Sequence, residues 1–410
     1  MNVLIIAQYF PPDLGGSSTR AYNVAKGLSL NGCNVTVIAA FPHYPHGRIP
    51  AEYRWKPIKV EWMGRIKVIR TFMPPIRSVG FFRRILLIAS FAFSALFAMP
   101  IIGKVDVIWA SSWIPGLIYG TVKRRPVALN VDDLTLEDLV DLELIREDSF
   151  ILKVAERVYK FFLVKADAVT PISPGYTEIL SKKYCVKPDR IHVVRGGVDL
   201  SIFKPYPSKH NNNKFTILYS GAFSVAYDFE TVFKAAKIIE EVDRDVEFVI
   251  QGIGELLNHM ISRINDLGVK NVRIINKVLS REAVAELLSQ ADVLILPLAK
   301  FKKPYGGFSS KLYEYQAVGK PIICCADGQP AEHIKMTGSG LVVKPGDYEA
   351  LAKAVIWLKE NPKLALEMGE NGRRYVEKEA SIEAIGLKMK QTLQALIAKS
   401  DQSSTFRIFR

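Results

Sequence analysis

The sequence predicts an α/β protein with two successive doubly wound parallel sheets, each of the Rossmann-like kind. Three observations support this prediction. At 410 residues the chain is longer than one ordinary domain. Short apolar segments alternate with helix-length segments, as expected for parallel strands that are buried on both faces. The alternation stops at a polar segment around residue 210 and then begins again.

The segment 204–214 marks the predicted boundary between the domains, because it contains two prolines and three consecutive asparagines and is typical of a linker. Two α/β domains imply a cleft between them, where ligands commonly bind. The predicted parts of the chain are a first domain over 1–203, a second over 204–375, a helix over 376–400 that packs back on the first domain, and a tail over 401–410.

Composition limits the possible functions. With 49% hydrophobic and 23% charged residues the chain is globular, and its net charge of +14 predicts an anionic partner, which could be nucleic acid, a membrane or a phosphorylated substrate. The cysteines lack metal-ligand spacing, so we expect free thiols in a reducing compartment and no metal site. The first residues lack a basic n-region and a cleavage site, which predicts a strand and a cytoplasmic location.

Short apolar runs in the first half of the chain predict strands. A helix is predicted after the first strand, because Ala21, Val24 and Leu28 have helical spacing. Gly15 and Gly16 therefore lie in a strand-to-helix loop, where they could admit a ligand to the backbone or form a tight turn. The predicted strands are 2–7, 34–40, 67–72, 105–111, 127–131, 168–172 and 191–195.

Polar residues follow several of these strands, at the sheet edge where such folds bind ligands. His43 and His46 lie in a loop and could carry a proton near neutral pH, or could simply be solvated. Asp132 and Asp133 follow a buried strand and could accept a proton or a substrate hydroxyl, or could cap a helix.

Ser112 and Trp113 follow another predicted strand of the first half. A hydroxyl beside a flat apolar ring is suited to stacking on a sugar. A tryptophan that belongs to the core is the open alternative.

The segment 85–103 is the most apolar in the chain, with 19 uncharged residues, nearly the length of a membrane-spanning helix. Predicted strands lie on both sides of it, so a span would divide one sheet across a bilayer, and we do not expect one. Basic residues precede it, and no acidic residue lies between Trp62 and Val105. The region 65–103 therefore predicts docking on an anionic membrane surface, with an ordinary buried helix as the alternative.

The second half repeats the alternation, and its most informative segment is 309–321, SSKLYEYQAVGKP. Serines before it and a Gly-Lys-Pro after it predict a short helix. Lys311 and Glu314 share one face near its N-terminus and could hold a phosphate and a sugar hydroxyl, or could form a surface ion pair. The predicted strands are 216–220, 246–251, 272–276, 293–298, 321–326 and 340–343.

An ordered set of motifs resembles one family. PPDLGGSSTRAYNVAKGLSLNGCNVTVIA, FPHYPHG, AVTPISPGYTEIL and IHVVRGGVDLSIFKP occur in the first half, and TILYSGAF, ADVLILPL, SSKLYEYQAVGKPII and GSGLVVKPGD in the second. In this order they resemble the family 4, GT-B-type glycosyltransferases, especially bacterial and archaeal enzymes that build lipopolysaccharide, O-antigen, capsule and other surface polysaccharides. The resemblance spans nearly the whole chain.

The resemblance implies a retaining transfer of a sugar from a UDP- or GDP-sugar to a saccharide acceptor. The basic and apolar region 65–103 adds the prediction of a polyprenyl-phosphate-linked acceptor and of a location on the inner face of the cell membrane. The resemblance also implies that no metal or other cofactor is required. We do not expect nucleic acid as a partner, because the positive charge is not interleaved with aromatic residues in a recognisable nucleic-acid-binding motif. Lys311 would meet the diphosphate and Glu314 the ribose hydroxyls. The donor-binding residues that the resemblance implies are Gly15, Gly16, Gly221, Ser309, Ser310, Lys311, Leu312 and Glu314. From the polar residues at the strand ends described above, we predict Asp132, Asp133 and His43 as catalytic residues and His46, Ser112 and Trp113 as acceptor-binding residues.

Three departures from the family pattern qualify this assignment. The family often carries two glutamates separated by seven residues, and here Gly306 occupies the position of the first, eight residues before Glu314. The segment 224–231 lacks the arginine and lysine that often bind the diphosphate in this family, and Lys300, Lys302 and Lys303 are possible substitutes. A histidine that some relatives carry after the strand 105–111 is also absent. Two other functions stay open: a nucleotide-sugar epimerase, and a non-enzymatic basic protein that binds membranes or nucleic acid.

Overall fold

The computed structural model describes residues 1–44, 47–54, 56–76, 81–142, 144–207, 214–303 and 305–408. The chain forms two compact units. The first consists of Met1–Val140, Ile145–Gly197 and Ile382–Arg410, and the second of Asp141–Leu144 and Val198–Ser381. The main change of unit thus comes after Gly197, a few residues before the predicted boundary.

Within its described residues, the first unit contains a seven-stranded sheet with the order β3-β4-β2-β1-β5-β6-β7. All neighbouring strands are parallel except β3, which pairs antiparallel with β4 at one edge. The strands are β1 (Asn2–Ile6), β2 (Asn34–Ala40), β3 (Ile58–Met63), β4 (Ile66–Thr71), β5 (Val107–Ala110), β6 (Val127–Val131) and β7 (Ala168–Pro171).

Helices cover both faces of this sheet, which explains why the central strands are apolar throughout. The residues of β1 alternate between two cores: Leu4 and Ile6 face one helix layer, while Val3 and Ile5 face the other. The helices are α1 (Gly16–Leu30), α2 (Phe81–Leu96), α3 (Trp113–Lys123), α4 (Thr135–Asp141), α5 (Phe150–Lys165) and α6 (Thr177–Lys182).

The second unit contains a six-stranded parallel sheet within its described residues, with the order β10-β9-β8-β11-β12-β13. Its strands are β8 (Phe215–Ser220), β9 (Val246–Gly252), β10 (Val272–Asn276), β11 (Val293–Pro297), β12 (Ile322–Cys325) and β13 (Gly340–Val343). Its helices are α7 (Phe229–Val242), α8 (Leu257–Leu267), α9 (Arg281–Gln290), α10 (Lys311–Ala317), α11 (Gln329–Thr337), α12 (Tyr348–Glu360) and α13 (Pro362–Tyr375).

The chain ends in α14 (Ile382–Ile408), which belongs to the first unit and packs against α1. Met389 and Leu393 of α14 are fully buried in the same core as Val24 and Leu28 of α1. The first sheet is therefore covered on one face by helices from opposite ends of the chain.

Most predicted strands are confirmed, and the exceptions have physical reasons. Residues 191–195 pair with β7 only in part: Ile191 forms a parallel bridge with Val169, and the N–H groups of His192 and Val194 donate to the carbonyls of Val169 and Pro171. They form no continuous strand, because Pro171 has no N–H to return a bond and Arg20 binds the carbonyl oxygens of Val194 and Arg195. The edge strand β3 was not predicted. The predicted linker 204–214 lies partly outside the described residues.

The apolar segment 85–103 is not one continuous helix, because α2 ends at Leu96 and a short 3-10 turn, Met99–Ile101, follows. Phe91 and Ala95 of α2 are buried in the sheet core. In the part of the chain that the structure describes, no helix is both long and apolar enough to cross a bilayer.

Candidate active site

The strand order of the second unit reverses between β8 and β11, and folds of this type bind ligands beyond the carboxyl ends of the strands at such a point. Gly221 follows β8 there, and Lys311 begins α10, which follows β11. A side chain on Gly221 would overlap Cε of Lys311. Glycine therefore leaves the space that the lysine occupies beside the end of β8.

Lys311 is held over an aromatic residue. Its Nζ donates a hydrogen bond of 3.1 Å to the Tyr227 hydroxyl and lies 5.1 Å from the centre of the same ring. Burial disfavours the ammonium, but Tyr227 and Glu314 outweigh burial, so the pKa of Lys311 is raised above its usual value. Lys311 is therefore a cation at neutral pH.

Glu314 lies one turn further along α10 and faces Arg281, with 3.8 Å between its Oε1 and an arginine Nη2. Burial raises the pKa of Glu314, and the charges of Arg281 and Lys311 oppose that rise. The Arg281 guanidinium lies 5.2 Å from the ring centre of Phe203. The side chain of Glu314 remains 22% exposed, so a ligand could reach it.

Side chains cross-link the carboxyl ends of three neighbouring strands at this site. The Ser220 hydroxyl donates to Oε1 of Gln251 at 2.6 Å, and Nε2 of Gln251 donates to the Lys277 carbonyl at 2.6 Å. The Tyr315 hydroxyl accepts the Ser220 N–H at 3.2 Å. These bonds hold the strand ends, and with them Gly221, in a defined geometry.

The remaining predicted donor residues surround the start of α10. Ser309 and Ser310 are half-buried, and their carbonyl oxygens accept the N–H groups of Leu312 and Tyr313 at 3.1 Å. The Leu312 side chain is fully buried in the core. It therefore fixes the helix and presents no apolar surface to a ligand.

The first unit has its own reversal of strand order, between β1 and β5. Gly15 precedes α1 with a φ of 100°, a conformation that favours glycine, and Gly16 begins the helix. Ser112 follows β5, and its hydroxyl accepts the Gln8 N–H at 3.0 Å. Both predicted segments thus lie at the carboxyl edge of the sheet.

Arg20 organises the carboxylate side of this edge. Its Nε lies 3.7 Å from Oδ1 of Asp132, which also accepts a 2.7 Å hydrogen bond from Nδ2 of Asn130. Arg20 is buried and donates to the carbonyls of Val194 and Arg195, so its position is fixed by the backbone. Burial raises the pKa of Asp132, while Arg20 and Asn130 act in the opposite direction.

Asp133 is the more exposed of the two carboxylates. Desolvation by the surrounding protein, together with the negative charge of Asp132, raises the pKa of Asp133 to about 6. A carboxylate with such a pKa is ionised at neutral pH and is a better proton acceptor than an ordinary aspartate.

His43 is buried, with 1% of its side chain exposed, and its Nδ1 lies 2.9 Å from the Phe41 carbonyl. Asp13 holds this turn, because its Oδ1 accepts the N–H groups of His43 and Tyr44 at 2.7 and 2.8 Å. The His43 ring stacks on Tyr9 with 5.4 Å between ring centres. His46 lies outside the described residues.

Trp113 is partly buried, with its Nε1 donating to the Asn130 carbonyl at 2.8 Å. Its ring contacts Tyr159 edge to face, with 4.9 Å between ring centres. Trp113 therefore packs on the core, as one of the two interpretations predicted. Part of its ring also remains accessible at the sheet edge, as sugar stacking would require.

Two family models match this chain and together span most of it. Residues 14–202 match the model described as Glycosyltransferase Family 4, and residues 203–375 match the model described as Glycosyl transferases group 1. The chain belongs to the family 4 glycosyltransferases. The first model covers every strand of the first sheet except β1, and the second covers the whole second sheet, which accords with a GT-B fold of two Rossmann-like domains.

Curated relatives of this glycosyltransferase family match over differing lengths. An MMP alpha-(1->4)-mannosyltransferase of Mycolicibacterium hassiacum is 28% identical over 51% of this chain and 49% of its own length. A protein of Escherichia coli K12 named for colanic acid biosynthesis, WcaI, is 23% identical over 92% of this chain and 97% of its own. The chain thus spans about half the length of the first of these relatives and nearly all of the second.

Solved structures share the fold. Sucrose-phosphate synthase of Thermosynechococcus elongatus matches with a TM-score of 0.76 at 19% identity, over 97% of this chain and 99% of that one. Anabaena HepE, solved in complex with UDP and glucose, matches with a TM-score of 0.70 at 16% identity, over 96% and 99%. These likenesses establish the two-domain α/β architecture of this family member.

The structure also identifies residues that the sequence patterns missed. Tyr227 lies within the segment 224–231, which lacks the family's basic residues, and its hydroxyl contacts Lys311. Arg281 begins α9 far from Glu314 in sequence, and no local pattern pairs them. Asp13 and Arg20 lie within the PPDLGGSSTR motif. Their closeness in sequence to Gly15 and Gly16 is the feature from which a role at this site could have been predicted.

Proposed function

We propose that the protein is a retaining glycosyltransferase that moves a sugar from a nucleotide-diphosphate sugar to a saccharide or lipid-linked acceptor, in the synthesis of cell-surface polysaccharide or glycolipid. The observation that carries the proposal is the position of Lys311. Its ammonium lies at the reversal of strand order in the second unit, in space left by Gly221, with Glu314 one turn away.

In this proposal Lys311 binds the diphosphate of the donor. Negative charge grows on the phosphate as the sugar leaves, so a cation held in place by Tyr227 stabilises the transition state more than the bound substrate. Because α10 has only seven residues, the lysine charge contributes more than the helix dipole. No metal is required in this scheme.

Glu314 is assigned to the ribose hydroxyls of the nucleotide. Its carboxylate accepts hydrogen bonds best when ionised, and Arg281 at 3.8 Å favours that form. Because Gly306 stands where the family often carries a first glutamate, Glu314 would bind the donor without a second carboxylate from this segment. A UDP- or GDP-sugar is the proposed donor, and the UDP complex of the structurally similar HepE supports a uridine nucleotide.

The acceptor is assigned to the first unit, where Asp132 and Asp133 lie at the carboxyl edge of the sheet. Asp133 is the proposed group that receives the acceptor proton, because it is exposed and its pKa is raised. Ser112, Trp113 and His46 are the proposed acceptor contacts. His43 is assigned a positioning role, since its buried ring supports Tyr9 and the turn at residue 41.

A lipid-linked acceptor requires access to a membrane surface. Region 65–103 supplies basic residues and the apolar helix α2, which exposes Leu86 and Phe93. We propose that this region docks on the anionic inner face of the cell membrane.

The experiment that tests the proposal is product analysis with purified protein. A thermal-shift screen against UDP-, GDP-, ADP- and dTDP-sugars first identifies the donor, because a bound ligand raises the unfolding temperature. We expect sugar transfer to a saccharide acceptor by the wild type. Lys311→Ala and Glu314→Ala should each lower turnover by at least about 100-fold, the range for loss of one preorganised charged group.

Lys335→Ala and Glu332→Ala are the matched controls, because both residues are exposed in the same unit, on α11. Near-wild-type turnover in both active-site variants would contradict the assignment. Conversion of the nucleotide sugar without an acceptor would instead indicate an epimerase.

A further inference from the structure

Helix α5 presents to solvent an apolar surface that the proposed reaction does not use. Phe150, Ile151 and Phe161 are 79%, 62% and 57% exposed. Leu152 and Leu163 are buried, and Leu163 anchors the helix in the core beside the sheet. The exposed side chains therefore do not contribute to the core. Three valines of the same helix are also exposed, namely Val154, Val158 and Val164.

The exposed charged residues of α5 are all basic. Its exposed basic residues flank the apolar side chains and are Lys153, Arg157, Lys160 and Lys165. Glu156 is its single acidic residue, and this carboxylate pairs with Lys183 at 2.7 Å on the less exposed side. The outer side of α5 is thus both apolar and positively charged.

Helix α3 contacts both α5 and α2, and all three helices expose apolar side chains. The Tyr119 hydroxyl of α3 donates to the Ala95 carbonyl of α2 at 2.6 Å, and Trp113 of α3 contacts Tyr159 of α5. α2 and α3 contain no acidic residue. We call the outward surface of the three helices the three-helix face; its exposed apolar residues outside α5 are Ile85, Leu86, Ile88, Phe93, Ile118 and Val122.

We propose that the three-helix face, with α5 as a docking element alongside α2, binds the surface of an anionic lipid bilayer. This inference rests on the proposed function, in which the acceptor is lipid-linked. Apolar side chains that enter the acyl boundary, with lysines reaching the headgroups, are the recognised arrangement of an interfacial helix. The excess of positive charge on these helices attracts anionic lipids, and exposed apolar side chains rimmed by basic residues are typical of a membrane interaction site.

Vesicle flotation of the full-length protein tests the inference. The probes are vesicles of equal parts phosphatidylglycerol and phosphatidylcholine, and vesicles of phosphatidylcholine alone. We expect wild-type protein to bind the anionic vesicles and Ile151→Glu/Phe161→Glu to bind them roughly tenfold or more weakly. The matched control is Leu366→Glu on α13, whose leucine is 62% exposed and lies outside the three-helix face.

A second variant, Lys153→Gln/Lys160→Gln, removes charge from α5 without touching its packed side. We expect it to weaken binding to anionic vesicles at low salt and to differ little from wild type at high salt, because ions screen the attraction. If Ile151→Glu/Phe161→Glu does not fold, Lys153→Gln/Lys160→Gln still tests whether α5 contributes to membrane binding.

Activity on a water-soluble saccharide acceptor separates the inference from the proposed reaction. The α5 variants should keep that activity, and its absence in the wild type would refute the proposed function whatever the vesicles show. Wild-type-like vesicle binding by both α5 variants would overturn the inference. So would a wild-type dimer that the α5 variants dissociate, since the face would then join two copies of the chain.

Discussion

Asp133 illustrates how a single side chain could set the pH dependence of the reaction. Its pKa is raised to about 6 by desolvation and by the neighbouring Asp132. A protonated carboxyl cannot accept the acceptor proton, so we predict that kcat/KM falls as the pH drops below about 6 and is flat above it. A pH-rate profile of the wild type checks this prediction.

The Asp133→Asn variant should lose this acidic limb together with most of its activity. Because the folded-state pKa lies above the ordinary value of 3.8, folding binds extra protons between these two values, and the ionised carboxylate lowers the free energy of unfolding at neutral pH. The asparagine variant should therefore be at least as stable as wild type at pH 7. Asp148→Asn is the control, since that carboxylate is exposed and pairs with Arg146. An unchanged acidic limb in Asp133→Asn would assign the proton to another group.

Helix packing in the first unit depends on a close crossing between α1 and α14. A side chain on Gly27 would overlap the backbone carbonyl of Ile382, and one on Gly386 would overlap the backbone of Gly27. We predict that Gly27→Ala destabilises the first unit by about 1–3 kcal/mol, since the clash outweighs the usual helical advantage of alanine. Urea unfolding followed by circular dichroism measures the change.

Gly16→Ala is the matched control because it makes the same substitution in the same helix. No neighbouring atom lies within 4 Å of the position that the added Cβ would occupy. Its effect should be neutral or stabilising by up to about 1 kcal/mol. If both variants had equal stability, the crossing would not be a close one.

Over the whole molecule, the first unit depends on the last helix of the chain. Leu393 of α14 is fully buried with residues of α1 and β1. We predict that Leu393→Ala costs about 2–5 kcal/mol in that unit, through lost apolar burial and the cavity left behind. Hydrogen exchange should become faster in β1 and β2.

Leu387→Ala is the control for this prediction, because Leu387 is on the same helix and is 47% exposed. It should leave hydrogen exchange in β1 and β2 near the wild-type rate. Unchanged exchange in Leu393→Ala would mean that α14 contributes little to the stability of the first sheet.

Local patterns in the sequence were sufficient for most of the fold. Apolar runs such as that at β1 marked strands buried on both faces, and the spacing of Ala21, Val24 and Leu28 marked α1. The alternation of these elements, repeated after the polar segment, predicted two Rossmann-like sheets. Strand β3 was not predicted because edge strands carry mixed polarity. Residues 191–195 pair with β7 only in part, because Pro171 lacks an N–H and Arg20, distant in sequence, binds the carbonyls of Val194 and Arg195.

The candidate site divides in the same way. Sequence alone predicted Lys311 and Glu314, because two charges three residues apart near a helix start are a local pattern, and the family resemblance added Gly221. Only the tertiary structure showed that Tyr227 holds Lys311, that Arg281 faces Glu314, and that Asp13 and Arg20 support the edge of the first sheet. Such pairs join residues far apart in the chain, and their contact depends on how the strands are ordered and packed, which no short pattern records.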